Sequence, residues 1–143
     1  MSEIDGNRMD VNDIRESFAI FDSWEDKYRF VIDLGKDLPD MDDRLKTDEH
    51  LVRGCQSQVW LVAELDRDTG AMRLTLDSDA HIVRGLIAIV LAAYDGRTPR
   101  EIVEYDIERL FEELDLLKHL SATRGNGLRA MVNRIRESAA AHA

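Results

Sequence analysis

Two alternating stretches in the middle of the chain constrain its fold more than any other feature. Val59, Leu61, Ala63 and Leu65 alternate with Trp60, Val62, Glu64 and Asp66, and Met72, Leu74 and Leu76 alternate with Arg73, Thr75 and Asp77. A period of two belongs to the β-strand, because successive side chains of a strand point to opposite faces. Asp66-Arg67-Asp68-Thr69-Gly70 between them is polar and ends in glycine, as a hairpin connection does. An antiparallel hairpin is therefore predicted. Its first strand opens apolar on both faces and then turns polar on one, as a strand buried at its start would. His50-Leu51-Val52-Arg53 reads as a short edge strand leading in, so a sheet of about three strands is expected.

Helical signals flank this sheet on both sides. Asp10 or Asn12 can cap a first helix whose Ile14, Phe18 and Phe21 share a face. Ser23-Trp24-Glu25-Asp26 resembles a capping box, and Trp24, Tyr28, Val31, Ile32 and Gly35 form the inward stripe of the helix it starts. Leu38-Pro39 ends that helix. After the hairpin, Ser78-Asp79 can cap a helix from Ala80 to Ala93 that is apolar nearly all round and hence central. Thr98-Pro99-Arg100-Glu101 places cap, N1 proline and capping-box glutamate in register for the next. Asp106 can cap a piece carrying Ile107, Leu110, Phe111 and Leu114. A last helix carries Leu128, Met131, Val132 and Ile135, approached through a loop from Thr123 to Gly127. Strands confined to mid-chain exclude alternating βαβ units, and the class expected is α+β, a small antiparallel sheet packed against helices. The length of 143 residues suits one domain, 1–143, with residues 1–9 and 139–143 expected to fray.

Charge narrows the partners. Nineteen basic residues against 29 acidic ones leave a net charge of −10. Such a chain repels phosphate backbones and anionic lipid, so neither nucleic acid nor a membrane is expected. A basic patch on a partner protein would attract it, and Asp77 and Asp79 at the hairpin's end are expected to help that docking. The first ten residues are too polar for a secretory signal. The longest apolar-rich run, Gly85 to Tyr94, has about half the length of a membrane span. One cysteine and no export signal suit a reducing, cytoplasmic compartment.

Candidate chemistry centres on that one cysteine, in Gly54-Cys55-Gln56-Ser57-Gln58-Val59-Trp60. Cys55 cannot form an internal disulfide. A buried, inert cysteine would have apolar neighbours, but Arg53, Gln56, Ser57 and Gln58 want water or hydrogen bonds. A thiol in use, on a loop before a buried strand, is the reading that fits. The acidic stretch from Pro39 to Glu49 lacks the glycine and the ligand spacing of a calcium loop and reads as a solvated loop. His50, His81, His119 and His142 offer no zinc spacing with Cys55, and one cysteine cannot hold an iron–sulfur cluster. No metal is expected. What a single loop thiolate can do unaided is attack the outer sulfur of a persulfide or disulfide on another molecule.

The loop from Gly54 to Trp60 resembles the signature of the SufE/CsdE family of sulfur-acceptor proteins. Trp24-Glu25-Asp26-Lys27-Tyr28 with Leu34-Gly35 resembles a second family block. So do Asp77-Ser78-Asp79-Ala80 with Ile82-Val83 and Gly85-Leu86-Ile87-Ala88, and His119-Leu120 with Arg124 and Asn126-Gly127-Leu128, in family order. The resemblance implies a SufE/IscU-like fold without cluster ligands. It implies a sulfur-relay protein, sulfurtransferase-like and not a stand-alone enzyme. Cys55 would take persulfide sulfur from a pyridoxal-phosphate cysteine desulfurase, stimulate that enzyme and pass the sulfur to an iron–sulfur scaffold complex. The cofactor would be the partner's, and this chain would bind none. Gly54, Gln56, Ser57 and Gln58 would support the loop, with Arg124, His119 and His50 as assisting candidates. Two departures stand out: His50 occupies a place where the family pattern has Asn, and Ser121-Ala122-Thr123-Arg124-Gly125 replaces Thr-Pro-Ser-Arg-Ser. A thiol enzyme with its own substrate, or a regulatory adaptor with an incidental cysteine, are the alternatives. A persulfide that must not leak is expected to sit inward, so the Cys55 side chain should be mostly buried, with its thiol pKa raised.

Overall fold

The computed structural model describes residues 9–143, and its buried apolar side chains other than Met41 and Trp60 form one contiguous cluster. The expected fraying of residues 1–9 lies outside the described residues except at Met9, which packs half-buried against that cluster. Helices α1 (Val11–Ile20) and α2 (Trp24–Lys36) come first, then two short 3₁₀ turns, Asp43–Leu45 and Asp48–His50. Strands β1 (Val59–Leu65) and β2 (Met72–Ser78) follow. Helices α3 (His81–Tyr94), α4 (Pro99–Glu104), α5 (Ile107–Glu113), α6 (Leu116–His119) and α7 (Ala122–Ala140) complete the order. The class is α+β, as expected.

The hairpin is antiparallel in the register the alternation demands, from Val59 opposite Ser78 to Leu65 opposite Met72. Only its strand count differs from expectation. Among the described residues the sheet has two strands, and the expected edge strand is reduced to a bridge between Leu51 and Trp60. The 3₁₀ turn ending at His50 runs straight into it, leaving no length of extended chain to pair.

Local chemistry explains most helix boundaries. Asp10 and Asp13 form a reciprocal capping box on α1, as Thr98 and Glu101 do on α4. Ser23 caps α2 through the Asp26 N–H, and Asp106 caps α5 through the Arg109 N–H. Helix α3 has no side-chain cap, because its N-cap position is Ala80 and the Asp79 carboxylate is bonded to Gln58 instead. It is the central element, with residues such as Ile87, Ile89, Val90 and Ala93 wholly buried. Glycine lets α2 lie directly on it. A Cβ on Gly35 would stand 2.7 Å from the Gly85 nitrogen, and one on Gly85 would overlap the Val31 carbonyl.

Helix α7 differs from the sequence reading at both ends. The Thr123–Gly127 stretch expected as a loop lies inside it, capped by Ser121, whose Oγ accepts the Arg124 N–H at 3.2 Å. At the far end the helix runs on to Ala140 and fully buries Ala139, past the point where fraying was expected. Asp77 is a second surprise. It is 1% exposed and works as an internal strut, not as a docking charge. Its carboxylate accepts the Met41 and Ser78 N–H groups and pairs with Arg84 and Lys46. Met41 is likewise buried, so the loop after α2 is anchored and only partly solvated. Among the described residues no helix is long and apolar enough to cross a membrane.

Candidate functional site

The start of the hairpin fixes where Cys55 can go. Val52 donates its N–H to the Val59 carbonyl at 2.8 Å, so Arg53 to Gln58 form a loop whose two ends are held together by the sheet. Gly54 turns the loop at φ +94°, in the left-handed region that a side chain disfavours. Ala130 of α7 would lie 3.4 Å from a Cβ there, so the chain passes close to the helix at this point. On the other side, Gln58 donates its N–H to Asp79 Oδ1 at 3.1 Å, and the Asp79 N–H returns to the Gln58 carbonyl at 3.4 Å. Asp79, expected to cap α3, instead fastens the cysteine loop to the end of β2.

Within this frame the Cys55 side chain turns inward onto α7. Its Sγ–H donates to the Gly127 carbonyl at 3.5 Å, and a Cβ on Gly127 would stand 3.5 Å from the sulfur. The thiol therefore rests on bare helix backbone. It is half-buried, short of the mostly buried position expected. Burial pushes its pKa above the ordinary thiol value, because desolvation penalises the thiolate.

Beside the thiol opens a cleft of about 230 Å³. Val59, Val83, Leu86, Leu128 and Met131 are its apolar lining residues, and Gln56, Ser57, Ser121, Thr123 and Arg124 its polar ones. Arg124 stands three residues before Gly127, so both lie on one face of α7. Its guanidinium makes no ion pair or hydrogen bond with any described residue. Arg15, Arg44, Arg73 and Arg84, by contrast, are all paired with carboxylates.

The residues singled out from sequence thus divide. Cys55, Gln56, Ser57 and Arg124 meet at the cleft, Gly54 turns the loop next to the thiol, and Gln58 closes the loop through its backbone. His50 and His119 make their contacts elsewhere. The His50 Nδ1 lies 2.8 Å from the Leu45 carbonyl, which can only accept, so that nitrogen carries the proton and pins the preceding turn. His119 stacks on Trp24 with centroids 4.6 Å apart, joining α6 to the start of α2. Sequence reasoning missed Gly127 as the seat of the thiol. The signal was there, since a glycine among the apolar positions of a helix marks a close approach. Among the described residues no three His, Cys, Asp or Glu side chains gather as a metal site.

Comparison with known proteins gives the family. The family model described as "SufE: Fe-S metabolism associated domain" matches residues 12–139. A SufE-like protein of Rhizobium meliloti (strain 1021) is 48% identical over 131 residues, covering 90% of this chain and 94% of the relative. One of Rhizobium etli is also 48% identical over 131 residues, covering 90% of this chain and 88% of its own. The fold is similar to the solution structure of a hypothetical protein from Thermus thermophilus. The TM-score is 0.72 at 17% identity, with 91% of this chain and 93% of that one covered. At that identity the likeness concerns fold alone. By its sequence, by the family model across nearly its whole length and by these relatives, the chain belongs to the SufE family, associated with iron–sulfur metabolism.

Proposed function

We propose that the protein is a persulfide relay: it accepts sulfur from a pyridoxal-phosphate cysteine desulfurase onto Cys55, stimulates that enzyme, and passes the sulfur on for iron–sulfur cluster assembly in the cytoplasm. The observation that carries this reading is the seating of Cys55. Its thiol lies on a loop closed at the neck, turned inward against Gly127 and beside an open cleft. Family membership supports the same reading.

The chemistry balances with no oxidant. The Cys55 thiolate attacks the outer sulfur of the partner's cysteine persulfide. The new bond is Cys55 Sγ to that sulfur, the old sulfur–sulfur bond breaks, and the partner's cysteine leaves as a thiolate. Onward delivery repeats the exchange with Cys55 as leaving group. Removing the product persulfide frees the desulfurase for another turnover, which is how a carrier stimulates it. In the isolated protein burial holds the thiol protonated and slow. Docking has to bring it out, and Gly54 supplies the backbone freedom to do so.

The test is sulfide release from free cysteine by a desulfurase in the presence of a dithiol reductant, with and without this protein. Relay predicts stimulation by the native chain and none by Cys55→Ser. Stimulation that survives Cys55→Ser would make the protein an adaptor, and turnover without any desulfurase would make it an enzyme of its own.

A further inference from the structure

The cleft beside Cys55 has features that a protein-to-protein relay does not use. It is larger than the roughly 150 Å³ cavity that admits benzene in an engineered protein core. A molecule the size of a mercapto acid therefore fits within its volume of about 230 Å³. Its lining mixes two chemistries: Val83, Leu86 and Met131 are apolar, whereas Ser121, Thr123 and Arg124 offer hydroxyls and a guanidinium. That guanidinium has no partner among the described residues, although the chain carries a large excess of carboxylates. An arginine with its donor fork empty recognises a carboxylate two bonds at a time. It stands one helical turn from the carbonyl on which the thiol rests.

We infer that the cleft is a binding site for a low-molecular-weight thiol bearing a carboxylate, held by Arg124 and discharging the persulfide of Cys55 without a second protein. The inference extends the relay reading, since it supplies an acceptor for the same loaded sulfur. The step is an exchange. The small thiolate attacks the outer sulfur of the Cys55 persulfide, a new bond forms between the two sulfurs, the Cys55 bond to that sulfur breaks, and Cys55 leaves as a thiolate. The product is a small-molecule persulfide. No electron acceptor is needed.

The overall field of the protein makes this a demanding expectation. A net charge of −10 repels an anionic thiol, so without local recognition a carboxylate should slow the discharge. The experiment loads Cys55 with inorganic polysulfide in the absence of any desulfurase. Discharge is then followed with mercaptoacetate and with mercaptoethanol at matched thiolate concentration. The expected result is a mercaptoacetate rate that saturates and exceeds the mercaptoethanol rate on the order of tenfold, a difference suited to one charge-assisted pair. Acetate should compete with the first and not the second. Arg124→Gln, at an exposed position, should remove the preference, bringing the mercaptoacetate rate down to that of mercaptoethanol. A linear dependence with mercaptoethanol the faster would overturn the inference. So would Arg124→Gln slowing both thiols alike, because the guanidinium would then serve the persulfide and not the incoming acid. Loading by polysulfide keeps this outcome separate from the relay, whose failure would show as no sulfur accepted from a desulfurase.

Discussion

Gln58 and Asp79 hold each other by two hydrogen bonds, Gln58 N–H to Asp79 Oδ1 at 3.1 Å and Asp79 N–H to the Gln58 carbonyl at 3.4 Å. One residue ends the cysteine loop and the other follows β2, so the pair clamps the loop to the hairpin. Asp79→Ala removes the side-chain half of this clamp. The fold should lose about 1 kcal/mol, the usual net value of one hydrogen bond. The loop should open more often, and Cys55 should be alkylated several-fold faster at neutral pH. Thermal unfolding and an alkylation time course check the two effects separately.

The thiol itself should titrate high. Burial raises the Cys55 pKa, so the thiolate is scarcer at neutral pH than in an unfolded chain. A pH profile of alkylation should place its midpoint above that of the urea-unfolded protein. Adding a desulfurase should lower it, since docking exposes the thiol. Cys55→Ser should change stability by no more than about 1 kcal/mol, because the side chain is half-buried and of similar size.

Glycine at 85 is required by packing. A methyl group there would overlap the Val31 carbonyl, and α2 cannot step back without emptying its contacts on α3. Gly85→Ala should cost about 3 kcal/mol or more, at the severe end for overpacking. Chemical denaturation should show a lower midpoint with an unchanged slope. A loss under about 1 kcal/mol would mean the two helices are not in tight contact.

Asp77 links stability to acid. Desolvation alone would raise its pKa, but the Met41 and Ser78 N–H groups and the Arg84 and Lys46 charges together outweigh it, and the pKa lies below 3.8. A depressed folded-state pKa contributes stability above the unfolded value and loses it as pH falls through the folded one. Asp77→Asn should therefore cost about 3 kcal/mol at neutral pH, as when one partner of a buried pair is removed. The gap between the two proteins should begin to narrow below about pH 4, where Asp77 in the unfolded chain takes up its proton, and close only as pH falls through the lower folded-state pKa. Stability curves against pH for both proteins decide this. Asp42, Asp66 and Glu101 are also depressed, and their shared contribution cancels in the difference.

What sequence could and could not show follows from the range of each signal. The hairpin and the Thr98–Glu101 box are written within a few residues, and both stand in the structure as read. Asp79 carried an ambiguous signal, since a carboxylate before a helix can cap it or can bond a loop, and only the fold brings Gln58 alongside. Asp77 looked exposed by alternation. The partners that allow its burial, Met41 and Arg84, come from distant elements. Gly125 and Gly127 suggested a loop because glycine weakens an isolated helix. Packing reversed that, since Gly127 must be bare for Cys55 to rest on α7. The cysteine loop was legible as a site. The cleft beside it was not, because Val83, Leu86 and Met131 meet Cys55 only after α3 and α7 are packed.

The most direct test of the central claim is the mass of the protein after incubation with a cysteine desulfurase and free cysteine, followed by removal of small thiols. The account predicts one added sulfur atom, located on the peptide containing Cys55, released by a reductant and missing in Cys55→Ser. A desulfurase that turns over and is stimulated by this protein while Cys55 gains no sulfur would contradict it.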